Sequence, residues 1–169
     1  AEYIRDGLEW STWARNMHLL ASSGKLRGLH NMCTVNALCL ETLPEFLSYL
    51  IKFKEQYGKD FPSFTLNILR FPSFQSALAL PDHIRTLHKD RLQEWYDTNA
   101  SNELLHEHEL NQTQRLLDYL DVVKTPHSEA FETPKLHNDF AKFYGQYDIR
   151  RNKNFSKAFP SMKEWYETI

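Results

Sequence analysis

The chain has 169 residues, 41% of them hydrophobic and 25% charged, with a formal net charge of −2. That size and balance suit one globular domain and exclude a disordered, collagen-like or strongly basic chain. Two cysteines, Cys33 and Cys39, are too few for a disulfide scaffold, and no stretch approaches the roughly eighteen consecutive apolar residues of a membrane helix.

The first ten residues, AEYIRDGLEW, have neither the basic nor the apolar region of a signal peptide. A helix follows over about 7–21, where Trp10, Trp13, Ala14, Met17 and Leu20 recur at the spacing of one buried face, and Ser22-Ser23-Gly24 ends it. HNMCTVNAL at about 30–38 reads as a strand. The helix over 43–57 has the clearest signals: Thr42 and Glu45 as a capping-box pair, Pro44 in the first turn, Leu43, Phe46, Leu47, Leu50 and Ile51 as its stripe, and Gly58 as its stop. FTLNILR at about 64–70 reads as a second strand, and the loop FPSFQSALAL leads to Pro81. Pro81 starts a helix with Ile84, Leu87, Leu92 and Trp95 turned inward. Ser101-Asn102 caps another, apolar from Leu116 to Val123. Thr133-Pro134 caps a third, with Leu136, Phe140, Phe143, Tyr144 and Tyr147 on one side. FPSMKEWYETI closes the chain as a short helix. The expected fold is a single α/β domain over 1–169. Residues 1–98 hold one βαβ unit, and 99–169 form a helical C-terminal part.

Charge is unevenly spread. Residues 1–89 carry ten Lys/Arg against eight Asp/Glu, residues 90–132 three against ten, and residues 133–169 seven against four. An acidic middle and a mildly basic tail predict no nucleic-acid partner, and the cluster Arg150, Arg151, Lys153 and Lys157 reads as a solvated or carboxylate-paired helix end. The sparse cysteines and missing leader predict a reduced, cytoplasmic protein without a membrane partner.

A strand, an amphipathic crossover and a second strand predict parallel pairing. Parity then puts Cys33, Val35 and Ala37 with Phe64, Leu66 and Ile68 under the covering helix. Thr34, Asn36, Thr65 and Asn67 fall on a second, polar face. Such groups either satisfy one another and bind water, or face a ligand near the strand C-terminal ends, where Asn36 and Arg70 are placed. Two parallel strands have two open edges and little buried area. The expectation is a hidden third strand, or pairing of the edges with another chain as a homodimer.

His106-Glu107-His108-Glu109 invites a metal reading, but i and i+2 diverge on a helix, and His83 and His88 are not at the i, i+4 zinc spacing. No metal site and no catalytic residue is therefore predicted. There is no G-x-S-x-G nucleophile turn and no Gly-rich phosphate loop. Phe71, Phe74, Phe155, Phe159, Trp165 and Tyr166 are read as covers of a core in preference to a nucleotide stack.

Several runs taken together point to a family. YIRDGLEW at 3–10, MCTVNALCLETLPEFLSYL, TLNILRFPSFQSALALP at 65–81 and DFAKFYGQYDIRRNKNFSKAFP at 139–160 cover most of the chain. The last contains D-x-x-R-x-x-x-F-x-x-x-FP. In these runs the chain resembles the C-terminal half of radical S-adenosylmethionine (SAM) proteins of the twitch type. The resemblance implies a partial (β/α) barrel and a preceding strand with an S-x-D-G-like motif, which is absent here. It implies that Arg5 pairs with the SAM carboxylate and that Asn36 faces the ribose or adenine. Asn67 and Arg70 would lie near a substrate in the barrel mouth. The structural readings stand beside these: Arg5 in a surface ion pair, Asn36 in a strand-end hydrogen bond, Arg70 on a loop carboxylate. Radical SAM chemistry needs a [4Fe–4S] cluster on three cysteines at C-x-x-x-C-x-x-C spacing. Cys33 and Cys39 have the wrong number and spacing, point to opposite positions in an apolar run, and no Gly-Gly-Glu motif is present.

Two functions remain. In the first, the chain is a helix-rich barrel remnant, not catalytic alone. It contributes a SAM- or substrate-facing surface to an N-terminal half supplied elsewhere. In the second, it is a non-enzymatic binding domain that homodimerises through sheet edges and helices.

Overall fold

A computed structural model describes residues 2–122 and 133–169. Val123, the expected end of an apolar run, lies outside them. Two strands, β1 (His30–Val35) and β2 (Ser63–Ile68), pair in parallel from His30 against Ser63 to Val35 against Ile68. They flank α2 (Leu43–Tyr57), so the βαβ unit forms as the spacing predicts, and among the described residues the sheet has no third strand. Seven helices are described: α1 (Trp10–Ser22), α2, α3 (Asp82–Asn99), α4 (Glu107–Leu120), α5 (Thr133–Arg151), α6 (Phe155–Ala158) and α7 (Lys163–Tyr166).

β1 is shorter than its apolar run suggests. Asn36 accepts the backbone N–H groups of Leu38 and Cys39 with its side chain, which bends the chain into a 3-10 turn, Ala37–Thr42. α2 runs as expected, with Pro44 in its first turn and Gly58 at φ 97° past its end. Thr42 makes no side-chain cap, so the capping box read there is absent.

The core collects Val35, Phe64 and Leu66 from the sheet, Leu47, Leu50 and Ile51 from α2, Ile84, Leu92 and Trp95 from α3, and Leu116, Leu117 and Leu120 from α4. Three polar side chains continue these apolar stripes. Lys54 of α2 and Glu109 of α4 form a fully buried ion pair, the Lys54 Nζ lying 2.8 and 2.7 Å from the two carboxylate oxygens and 3.1 Å from the Leu104 carbonyl. Glu109 also accepts the N–H groups of Phe64 and His106. One carboxylate thus ties α2, β2 and the start of α4 together, which is the full hydrogen-bonding that a buried charge requires. His88 of α3 is the third.

Four expectations need correction. α1 buries no residue. Its tryptophans instead lie against the Phe46 and Tyr49 rings of α2 at 4.9 to 6.3 Å, and Leu19 and Leu20 face solvent. Leu87 is 46% exposed, because His88, four residues from both Ile84 and Leu92, takes the inward position. Phe143, expected on the inward side of α5, is also exposed. The helix expected from Ser101-Asn102 begins at Glu107, because Asn102 spends its side-chain oxygen on the Leu104 N–H in a tight turn.

Candidate functional site

The two faces of the sheet differ as parity predicts. Phe64, Leu66 and Val35 are buried, whereas His30, Met32, Thr34 and Asn67 are exposed. The open face has one internal polar network, in which the His30 ring lies 2.8 Å from the Ser63 hydroxyl and 3.2 Å from that of Thr65.

The sheet edges also differ. On β2 the outward backbone groups belong to Phe64, Leu66 and Ile68. The Phe64 N–H donates to Glu109 at 2.8 Å, and the Leu66 carbonyl accepts from the Arg115 guanidinium at 2.6 Å. Side chains of α4 therefore cover this edge at Phe64 and Leu66. On β1 the Leu29 and Val35 carbonyls accept from Ser63 and Leu69 of the second strand segment, so the backbone of His30, Met32 and Thr34 turns outward. Among the described residues, those groups hold one contact, the Cys39 thiol at 3.4 Å from the Thr34 carbonyl. Met32, at the centre of this edge, is 68% exposed.

Of the residues singled out in the sequence, Asn36, Asn67 and Arg70 lie at the C-terminal ends of the strands, and only Asn67 and Arg70 line one cleft. Arg5 is presented by a clasp between the chain's two ends. The Tyr3 hydroxyl donates to Asp148 at 2.6 Å, Arg151 pairs with Asp6 at 2.6 Å, and the Tyr147 hydroxyl donates to the Ile4 carbonyl at 3.0 Å. Phe155 and Phe159 meet the Tyr3 ring edge-on at 6.0 and 4.9 Å. The YIRD and D-x-x-R-x-x-x-F-x-x-x-F runs thus hold each other. Asp6 and Arg151 engage one another, and Arg5, exposed, has no acidic partner among the described residues. Its charge reaches the Cys39 thiol, which follows Asn36 on the same turn.

Asn36 is buried, and its side-chain oxygen is committed to the turn, so the strand-end hydrogen-bond reading is realised. Burial pushes the Cys33 thiol up to about 12 and also raises that of Cys39. Cys39 adds to the shift of Cys33, so the two are near one another; strand parity fails for them because Cys39 already sits in the turn. Thiols held protonated in this way are poor nucleophiles.

Asn67 and Arg70 share a cleft of about 440 Å³ at the C-terminal end of β2. Its other wall is α4, with Arg115, Asp118 and Tyr119. The Arg70 guanidinium lies 5.8 Å from the centre of the Tyr119 ring, and the Tyr119 hydroxyl is held 2.8 Å from that of Ser76. The loop-carboxylate reading of Arg70 is not realised among the described residues. Arg115, Asp118 and Tyr119 carry no motif; only their i, i+3, i+4 spacing puts them on one helix face.

Two further clusters were not legible as such. His106 and His108 stack at 5.3 Å, although they were expected to diverge, because His106 is the extended N-cap of α4 and not part of the helix. The His106 carbonyl accepts the Glu109 N–H at 3.0 Å, and the His106 Nε2 lies 2.9 Å from Asp60. Among the described residues, no group of three or more His, Cys, Asp or Glu side chains could hold a metal ion. The fully buried His88 lies 3.2 Å from the Ser161 hydroxyl, which also bonds Glu41. Burial lowers the His88 pKa, and Glu41 partly offsets this. Because Ser161 gives its proton to Glu41, His88 donates through Nε2, and its buried Nδ1 is without a partner among the described residues. This triad pins the C-terminal segment to α3.

No protein-family model matches the chain, and no curated protein or solved structure matches it either. No described helix is long and apolar enough to cross a membrane.

Proposed function

We propose that this chain forms one wall of a radical-SAM-like (β/α) barrel, is not catalytic alone, and presents a SAM- and substrate-facing surface to an N-terminal half supplied elsewhere. The observation that supports this reading best is the asymmetry of the sheet. The outer edge of β2 is covered at Phe64 and Leu66 by Glu109 and Arg115, while the outer edge of β1 and the polar face beside it are open. A terminal barrel strand needs a closed outer edge, and the strand before it needs a neighbour.

Cys33 and Cys39 do not fit an iron–sulfur cluster, because they are two thiols where the cluster needs three or four, and no third metal-binding side chain joins them among the described residues. Any cluster would belong to the proposed N-terminal partner half. Arg5 suits the SAM carboxylate, since its guanidinium fork matches a carboxylate bidentately. Asn36 fits the ligand only as a donor through its amide nitrogen, its oxygen being committed. Asn67 and Arg70 form the substrate side.

The test is calorimetric titration of the chain with SAM and S-adenosylhomocysteine. Binding that Arg5→Ala weakens by about tenfold or more is expected from loss of a charged bidentate pair. A folded chain that evolves no heat with either ligand removes the SAM-facing part of the proposal. The open β1 edge also favours the second reading, a homodimer through antiparallel β1 pairing. A dimer in sedimentation equilibrium that Met32→Pro dissociates, in a chain that ignores SAM, would establish that reading instead.

A further inference from the structure

We infer that the cleft between β2 and α4 is a binding site for a small zwitterion of the α-amino-acid type, its carboxylate held by Arg70 and Arg115 and its ammonium by Asp118. Both guanidiniums are positioned by neutral groups. Arg115 is held by one nitrogen against the Leu66 carbonyl at 2.6 Å and the Gln112 side-chain oxygen at 2.7 Å. Arg70 lies against the Tyr119 ring. Neither makes an ion pair with a described residue, so each keeps its full charge and unused N–H donors. Two fixed guanidiniums on one cleft are the arrangement that oxyanions select.

Asp118 decides which oxyanion. It shares the cleft, is not ion-paired among the described residues, and one of its oxygens accepts from Gln114 at 2.8 Å, leaving the other for a ligand. A carboxylate there repels a phosphate dianion and attracts an ammonium group. Ile68 and Val122 complete the lining and give the ligand's alkyl part an apolar surface. A volume of about 440 Å³ lies within the range of small-molecule sites, roughly 300–1,000 Å³.

This rests on the half-barrel reading only in making the ligand a substrate; the chemistry of the cleft stands apart from it. The experiment is a calorimetric titration of the whole chain with L-leucine, its methyl ester, N-acetyl-L-leucine and inorganic phosphate. Saturable binding of L-leucine is expected, weakened about tenfold or more in the ester, which lacks the carboxylate, and in the N-acetyl form, which lacks the ammonium. Arg70→Gln should weaken L-leucine by a similar factor. Asp118→Asn should weaken L-leucine without weakening N-acetyl-L-leucine. Arg70 and Asp118 are exposed, and an unchanged thermal midpoint establishes that each variant is folded. No saturable leucine binding, equal binding of the ester, or phosphate binding in its place would overturn the assignment. SAM carries the same α-amino-acid group, so the two sites are told apart by variant: SAM binding weakened by Arg5→Ala and not by Arg70→Gln belongs to the SAM surface, and leucine binding weakened by Arg70→Gln and not by Arg5→Ala belongs to the cleft, so that either can fail while the other stands.

Discussion

His88 shows how a single titratable group couples this fold to pH. Its ring is buried between α3 and the C-terminal segment, with Ser161, Glu41, Glu45 and Arg91 as its polar surroundings. In the folded chain burial holds its pKa below the ordinary 6.5. At pH values between those two pKa values the unfolded chain binds more protons than the folded one, so stability rises with pH across that window. The stabilising effect is fully present above 6.5 and is lost as the pH falls towards the folded-state pKa. A thermal midpoint that drops on acidification through this window is expected, with a shallower slope in His88→Gln; identical slopes in the two proteins would contradict it. His88, Lys54 and Glu109 share a sequence signal, a polar residue at three-and-four spacing within an apolar stripe. That spacing announces burial but not the partner, which lies on another helix.

At the scale of elements, the sheet edges make the sharpest contrast. The Phe64 N–H is an edge group but donates to a fully buried carboxylate, whereas the Met32 N–H turns outward from the open edge. Amide hydrogen exchange should therefore be slow at Phe64 and fast at Met32 in the isolated chain. Comparable fast exchange at both would mean that α4 does not close β2, and slow exchange at Met32 would mean that another strand or a second copy already covers β1. The helices were legible to different depths. α2 announced itself through Pro44, Gly58 and an unbroken stripe. The periodicity of α1 revealed an apolar face but not how far it would be covered, since coverage depends on the aromatic neighbours that α2 offers. The start of α4 differs from the expected one because Asn102 is as good a turn former as it is a cap, and Glu109, whose carboxylate is committed to three partners, fixes the true start.

In the whole molecule, the two ends of the chain meet in the Tyr3–Asp148 and Asp6–Arg151 clasp. The Asp148 carboxylate also accepts the Phe155 N–H, so it joins the N-terminal segment to the turn between α5 and α6. Tyr3→Phe removes a part-buried hydrogen bond to a charged acceptor and should cost about 2 kcal/mol in urea unfolding. Asp6→Ala breaks a half-exposed pair and should cost about 0.5 kcal/mol. The reverse order would show that the ring packing of Tyr3, and not its hydroxyl, holds the clasp.

The sequence by itself determined the βαβ unit, its parallel sense, the polar and apolar faces and the inner stripes of most helices, because these follow from local periodicity, turn chemistry and chirality. It also brought Asn36 and Arg70 forward as residues near strand ends and Asn67 as one on the polar face, while Arg5 came only from the family resemblance. Only the tertiary structure decided which of them are committed and which stay available. Asn36 spends its oxygen on a turn, the clasp leaves Arg5 unpaired among the described residues, and Arg70 meets Arg115 and Asp118 across a cleft whose second wall comes from α4. The same holds for the edges, because whether a strand needs a neighbour depends on where a distant helix places a carboxylate and a guanidinium. No pattern along the chain encodes that distance, since the partners are separated by 45 to 49 residues and are joined only through the buried core.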